Sequence, residues 1–181
     1  MKDLAQRPPG SATREVDPWR FTGPFLTRVL SAQIPERPEH PPIPWAPVRR
    51  PVAESRIALV TTAGISMKGD RPFDMEMERR NPLRGDPSWR RIPALARTGS
   101  VEVNHLHIDT GYILRDLNVA LPLERLHELT VERIVGEVAP SHYSIMGYQG
   151  HDTRELECTS APEIAEEMRR ERVDLALLAP V

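Results

Sequence analysis

Read for its apolar and polar positions, the chain falls into a proline-broken first part and a patterned remainder. Residues 173–181 (VDLALLAPV) are the most apolar run, seven of nine positions, and predict a strand covered on both faces, as in the middle of a parallel sheet. Residues 56–64 (RIALVTTAG) predict a second apolar strand, stopped by Gly64 in a tight turn. In 101–107, Val101 and Val103 alternate with Glu102 and Asn104, the period-two pattern of a less buried strand. Residues 134–139 give a further strand, closed by Pro140. Helical spacing marks 122–133, where Leu123, Leu126 and Leu129 or Thr130 share a face, and Glu124, Arg125, Glu128 and Glu132 point outward. A second helix is predicted over 160–171, with Ser160 and Glu163 as a capping box, Pro162 in the first turn, and Ile164, Ala165 and Met168 facing the sheet. Between the first two strands, 66–100 is charged and broken by Pro72, Pro82, Pro87 and Pro93. It predicts a long surface excursion with one helical turn near 74–80, anchored by Phe73 and Trp89.

Strands alternating with helices specify an α/β fold: an open, mainly parallel sheet flanked by helices, over 53–181. A terminal strand as apolar as 173–181 needs cover, and no helix follows it in the sequence. The sheet is therefore expected to be incomplete at the C-terminus, or covered by a partner. Residues 1–52 hold eleven of the 19 prolines and read as an extended arm. Trp19, Phe21, Phe25, Leu26, Val29 and Leu30, with a short helix over 24–33, give that arm something to dock with.

Composition narrows the function. A net charge of -2 gives no general attraction to nucleic acid or an anionic membrane. No run approaches the ~18 apolar residues of a membrane span, and MKDLAQRPPG lacks the apolar centre of a secretory signal. The expectation is a cytoplasmic protein. The single cysteine, Cys158, excludes an intramolecular disulfide, and Glu155 and Glu157 beside it oppose thiolate formation.

In open α/β sheets, ligands bind just beyond the carboxyl ends of the strands. Near predicted strand ends stand Gly64, His105, His107, Asp109, Asp116, Asn118, Ser141, His142 and Tyr143. His142 and Tyr143 are the pair expected to share a pocket as general acid/base or substrate donors. His105, Asp109, Asp116, Asn118, Gly64 and Ser141 are the candidate substrate-binding residues. His105, His107, Asp109 and His142 have the side chains for zinc or iron, but no HExxH spacing supports a metal, and none is expected. No serine-nucleophile elbow, phosphate loop or dinucleotide fingerprint is present. The residues alone describe an α/β domain with a polar cleft and no nucleophile.

Several stretches together carry a resemblance. They are 54–64 (ESRIALVTTAG), 85–90 (GDPSWR) with Ile92 and Pro93, and Asn104-His105 leading to Asp109. After these come 115–118 (RDLN) with Pro122, Arg125 and Leu126, then 136–140, 141–143 (SHY) and Met146-Gly147. In this order they resemble the selenoprotein B family of glycine, sarcosine, betaine and D-proline reductases, over about 53–181. The resemblance implies reductive cleavage of a carbon–nitrogen bond in a small amino acid or its N-methyl derivative, with thiols as electron donors and a selenocysteine or cysteine as the reactive group. It implies a hetero-oligomer with a partner subunit bearing a pyruvoyl group, and no cofactor in this chain. His142, Tyr143, His105 and Asp109 would hold the substrate carboxylate and protonate the leaving amine. In shorter members the reactive residue directly follows a strand ending in Pro-Val, as in 178–181 (LAPV) here. The implied arrangement places a UGA selenocysteine codon, read as stop, directly after Val181, and the 181-residue chain alone would be inactive. Two alternatives stay open: a complete, non-catalytic α/β binding subunit, and a metal-dependent hydrolase using His105, His107, Asp109 and His142.

Overall fold

A computed structural model describes residues 23–33, 46–81, 84–106, 108–150 and 152–181. The chain divides into two units, residues 1–45 and 46–181. In the first, α1 (Pro24–Gln33) is the short helix that the sequence predicts, with Phe25, Leu26 and Val29 exposed. Trp19 and Phe21, and the side chain of Leu30, lie outside what the structure describes.

The second unit runs β1 (Arg56–Thr61), β2 (Ile65–Met67), α2 (Met75–Arg80), β3 (Arg90–Pro93), β4 (Val101–Val103), α3 (Thr110–Arg115), α4 (Leu123–Val131), β5 (Glu137–Val138), β6 (Ser141–Ser144), α5 (Ala161–Arg170) and β7 (Leu175–Ala179). β1 is the central strand. Along one edge it pairs in parallel with β7, from Ile57 opposite Leu175 to Thr61 opposite Ala179. Along the other it meets two half-strands, also parallel: β5 at its start, with Ile57 opposite Val138, and β6 at its end, with Val60 opposite Tyr143. β3 closes that side antiparallel to β6, completing the expected open, mainly parallel sheet.

Because side chains alternate along a strand, β1 feeds two cores. Ile57 and Leu59 pack with Ile113, Leu117, Leu121, Leu123 and Leu126 of the α3–α4 segment. Ala58 and Val60 pack with Tyr143, Trp89, and Ile164 and Met168 of α5.

Four expectations need correction. The strand at 101–103 does not join the main sheet; it pairs antiparallel with β2, which, like β3, lies in the stretch expected to lack strands. β2 and β3 are three and four residues long, too short for a period-two pattern to register. Residues 141–144, expected beyond a strand's end, are themselves strand β6. Pro140 splits β5 from β6, having no N–H to give the ladder, while its carbonyl accepts from Ala94 N–H at 3.0 Å. The last helix does not start at Ser160. The backbone is helical from 154, and the turn Leu156–Ser160 is widened just before Pro162. A proline ring inside a helix clashes with the carbonyl four residues back, here Cys158, and the wide turn accommodates it. Ser160 instead donates its hydroxyl to the Pro87 carbonyl at 2.7 Å. Finally, β7 is not a covered strand: it lies at the sheet's edge, with Leu177 51% and Leu178 69% exposed. A covered strand and an uncovered edge strand can share one apolar sequence, so hydropathy alone does not separate them.

The long excursion after β2 is riveted by its GDPSWR stretch. Buried Asp86 accepts from the N–H groups of Asp74 and Ser88, each at 2.8 Å, and from the Ser88 hydroxyl. It also pairs with Arg90 at 3.5 Å. Arg90 in turn lies 4.2 Å over the ring of Phe73 and donates to the carbonyls of Arg71 and Pro72. Trp89 packs edge-on against Tyr143 and donates to Glu163 at 2.8 Å. Phe73 and Trp89 are thus the anchors that the sequence suggests.

Candidate functional site

The carboxyl edge of the parallel sheet is built where β1 stops. After Thr61 the chain turns through Ala63 to Gly64, whose φ is +62°. An added Cβ at Gly64 would lie 2.3 Å from the Asn104 carbonyl oxygen, so only glycine fits this close approach. Three segments are fastened there by short hydrogen bonds. Gly64 N–H donates to Ile145 O at 3.0 Å, and Gly64 O accepts from Asn104 N–H at 2.8 Å. Ser144 Oγ accepts from Ile65 N–H at 2.7 Å, and Asn104 Nδ2 donates to Ser66 Oγ at 2.9 Å. Beside them, Thr62 Oγ1 accepts from Val181 N–H at 2.9 Å, which ties the end of β7 to the same edge.

The sequence-chosen residues distribute unevenly over this frame. Gly64 is at the edge, and half-buried His105 adjoins it through Asn104. Asp109 caps α3, accepting from Gly111 N–H at 2.9 Å. Asp116 accepts from the backbone and side-chain N–H groups of Asn118, and Asn118 Oδ1 accepts from Glu124 N–H at 3.0 Å, so the pair organises the first turn of α4. The side-chain bond from Asn118, helped by its backbone N–H and Arg125, holds the Asp116 carboxyl below its ordinary range. Ser141 stands at the amino end of β6, where its hydroxyl donates to Glu171 at 2.6 Å. His107 lies outside the described residues.

His142 and Tyr143 are both fully buried, and the structure does not bring their side chains together: adjacent strand residues face opposite sides. His142 Nδ1 accepts from Leu59 N–H at 2.9 Å, which leaves the ring proton on Nε2 in the neutral form. Burial, reinforced by nearby His127, lowers its pKa to about 4 against a weaker opposing backbone bond at Ala139. Tyr143 lies on the α5 side. Burial first, and then Glu171, push its phenol up to about 12. Among the described residues, His142 Nε2 and Tyr143 Oη have no hydrogen-bond partner, and no group of three or more His, Cys, Asp or Glu is placed to hold a metal.

Sequence reading missed the edge residues Thr62, Asn104 and Ser144. Two threonines directly after an apolar strand were the available signal. It also missed an open cleft of about 330 Å³ lined in part by Arg71, Asp74, Arg84, Asp86 and Glu155. Gly85 N–H donates to Tyr148 O at 3.0 Å, which sets this cleft beside the segment leaving the carboxyl end of β6. Cys158 lines an adjacent shallow cleft that shares Glu155.

Residues 32–180 match the family described as glycine/sarcosine/betaine reductase selenoprotein B. The chain belongs to this family. The match reaches back into the proline-rich stretch, beyond the motifs that first suggested it. The chain is also similar to D-proline reductase subunit gamma of Acetoanaerobium sticklandii, 34% identical over 141 residues, which are 78% of this chain and 54% of the relative. It thus spans about half the length of that relative. No solved structure matches. Among the described residues, no helix is long and apolar enough to cross a membrane.

Proposed function

We propose that this chain is the α/β scaffold of a selenol- or thiol-dependent amino-acid reductase that works with partner subunits, and that the reactive selenocysteine or cysteine is the residue following Val181. The observation that carries this reading is the end of β7, held by Thr62 at the sheet edge where α/β proteins place their ligands. Family membership supports the reaction class. The greater length of the relative and the uncovered Leu177 and Leu178 support further polypeptide over β7.

The residues present fit such a group, since the strand end is fixed at its backbone by Thr62, beside which Gly147 carries no side chain. In place, a selenolate or thiolate supplies the nucleophile for reductive carbon–nitrogen cleavage, with external thiols as the electron source. A pyruvoyl group on a partner subunit would hold the substrate amine, and no residue of this chain is assigned to it. In this chain, Arg71 and Arg84 are suited to the carboxylate of a small amino acid or its N-methyl derivative. His105 borders the edge and is the histidine assigned to the substrate. His142 and Tyr143 act from within, holding β6 and, through Leu59, β1 in register.

The test is reductive carbon–nitrogen cleavage with a dithiol donor and the partner subunits, read as amine release from glycine, sarcosine and betaine and as opening of the ring to a linear amino acid for D-proline. A chain extended beyond Val181 and carrying cysteine or selenocysteine there is expected to turn over one of them, and the 181-residue chain none. Turnover by the 181-residue chain would contradict the proposal. Inactivity of the extended protein towards all four would favour the non-catalytic binding subunit.

A further inference from the structure

We propose that Thr62 is a positioning residue, whose hydroxyl fixes the backbone at the end of β7 and so aims the side chain that follows Val181. The catalytic consequence rests on the function proposed above; the backbone geometry does not. At its carboxyl end β1 parts from β7. Thr62 N–H reaches Ala179 O only at 3.4 Å, and the next residues turn away, with Gly64 bonding to Ile145 and Asn104. The main-chain ladder ends there, one residue short of Pro180 and two short of Val181.

The Thr62 side chain continues it. Oγ1 accepts from Val181 N–H at 2.9 Å and donates to Val181 O at 3.3 Å. One hydroxyl has both capacities, so a single side chain replaces a peptide unit of the missing partner strand. Its branched Cβ restricts χ1, which keeps the oxygen aimed at β7. Gly147 leaves the room: a Cβ there would lie 3.1 Å from Thr62 Cβ and 3.2 Å from Oγ1. Releasing the strand end would let the following residue wander from its attack geometry, and a displacement of ~1 Å costs on the order of a hundredfold in rate.

Two substitutions separate the hydroxyl from its shape. Thr62→Val keeps the branched volume and removes both bonds, whereas Thr62→Ser keeps both bonds with a looser χ1. Amide hydrogen exchange in the 181-residue chain, read by NMR, is compared at Val181 and at Leu59, whose N–H is buried on His142. Thr62→Val is expected to speed exchange at Val181 about tenfold or more, with Leu59 unchanged and Thr62→Ser close to wild type. Unchanged exchange at Val181 in Thr62→Val would overturn the backbone claim. In the extended, assembled reductase, Thr62→Val should lower kcat on the order of ten- to a hundredfold at constant KM, with Thr62→Ser restoring most of it. Faster exchange with an unchanged kcat would overturn the positioning role. If the extended wild-type protein reduces no amino acid, the functional reading and the catalytic consequence both fall, and the exchange rates alone decide the backbone claim.

Discussion

Replacing Asp86 by alanine tests how the long excursion between β2 and β3 is held. The carboxylate takes two backbone N–H bonds and one hydroxyl bond and faces Arg90 at 3.5 Å, with the paired side chains 8% and 11% exposed. Burial alone would raise its pKa, but the bonds from Ser88 and Asp74 and the charge of Arg90 outweigh that and leave it below the ordinary 3.8. For Arg90, burial outweighs the pull of Asp86 and lowers its pKa, yet a guanidinium stays charged at any working pH. Asp86→Ala therefore strands a buried cation and three donors, and should cost about 3–5 kcal/mol of unfolding free energy. Asp86→Asn, which keeps an acceptor without the charge, should cost about 1.5–3 kcal/mol. The exposed pair of Arg80 with Glu76 is the control, and Glu76→Ala should stay within ~0.5 kcal/mol of wild type. Urea unfolding, with its slope checked for constancy, reads all three. The sign with pH follows from the depressed folded pKa: the stabilisation is full above the ordinary carboxylate value and lost as pH falls through the folded one. The gap between wild type and Asp86→Ala should therefore narrow on acidification to pH ~3. A gap below 0.5 kcal/mol at neutral pH, or one that widens in acid, would refute the reasoning.

Further outcomes follow from the same geometry. The folded pKa of His142, about 4, lies below its ordinary 6.5, so stability is complete above pH ~6.5 and falls as pH drops from there towards 4, by about 3 kcal/mol in all. His142→Asn retains an acceptor for Leu59 N–H and should flatten that slope in urea titrations at stepped pH; an unchanged slope would place the proton uptake elsewhere. Leu178→Lys should change the stability of this 181-residue chain by under ~0.5 kcal/mol, since the residue is 69% exposed. In a protein carrying further polypeptide over β7 the same change should cost several kcal/mol, on the order of burying an unpaired charge; equal small effects in both would mean that β7 stays uncovered.

The framework was legible where burial writes a pattern. β1 and α4 carry enough buried apolar residues to declare their type, and Leu123, Leu126 and Ile164 are buried as their spacing predicts; β7 is a strand as its apolar run predicts, but not a covered one. β2, β3 and β6 were not legible because strands of three or four residues have no room for periodicity, and β6 also has three polar residues among its four. Ser160 shows the limit of a local motif. Its capping box was sound chemistry, but Asp152 upstream had already begun the helix by accepting from Arg154 N–H at 3.2 Å. The candidate site was half legible. Gly64 stands where a strand–turn reading puts it, because a glycine after an apolar strand has a backbone reason to be there. Asp109, Asp116 and Asn118 are polar residues at element mouths, and such positions attract caps as readily as ligands. His142 with Tyr143 shows what chain order conceals, since neighbours in sequence are separated by the full thickness of the sheet when both lie in a strand.

The most direct measurement is the nucleotide sequence that continues from codon 181. The account predicts UGA, followed in frame by proline, one further residue, cysteine and a helix-forming stretch able to cover β7. A different stop codon, or a frame with no selenocysteine or cysteine after Val181, would contradict the placement of the reactive group at the end of β7.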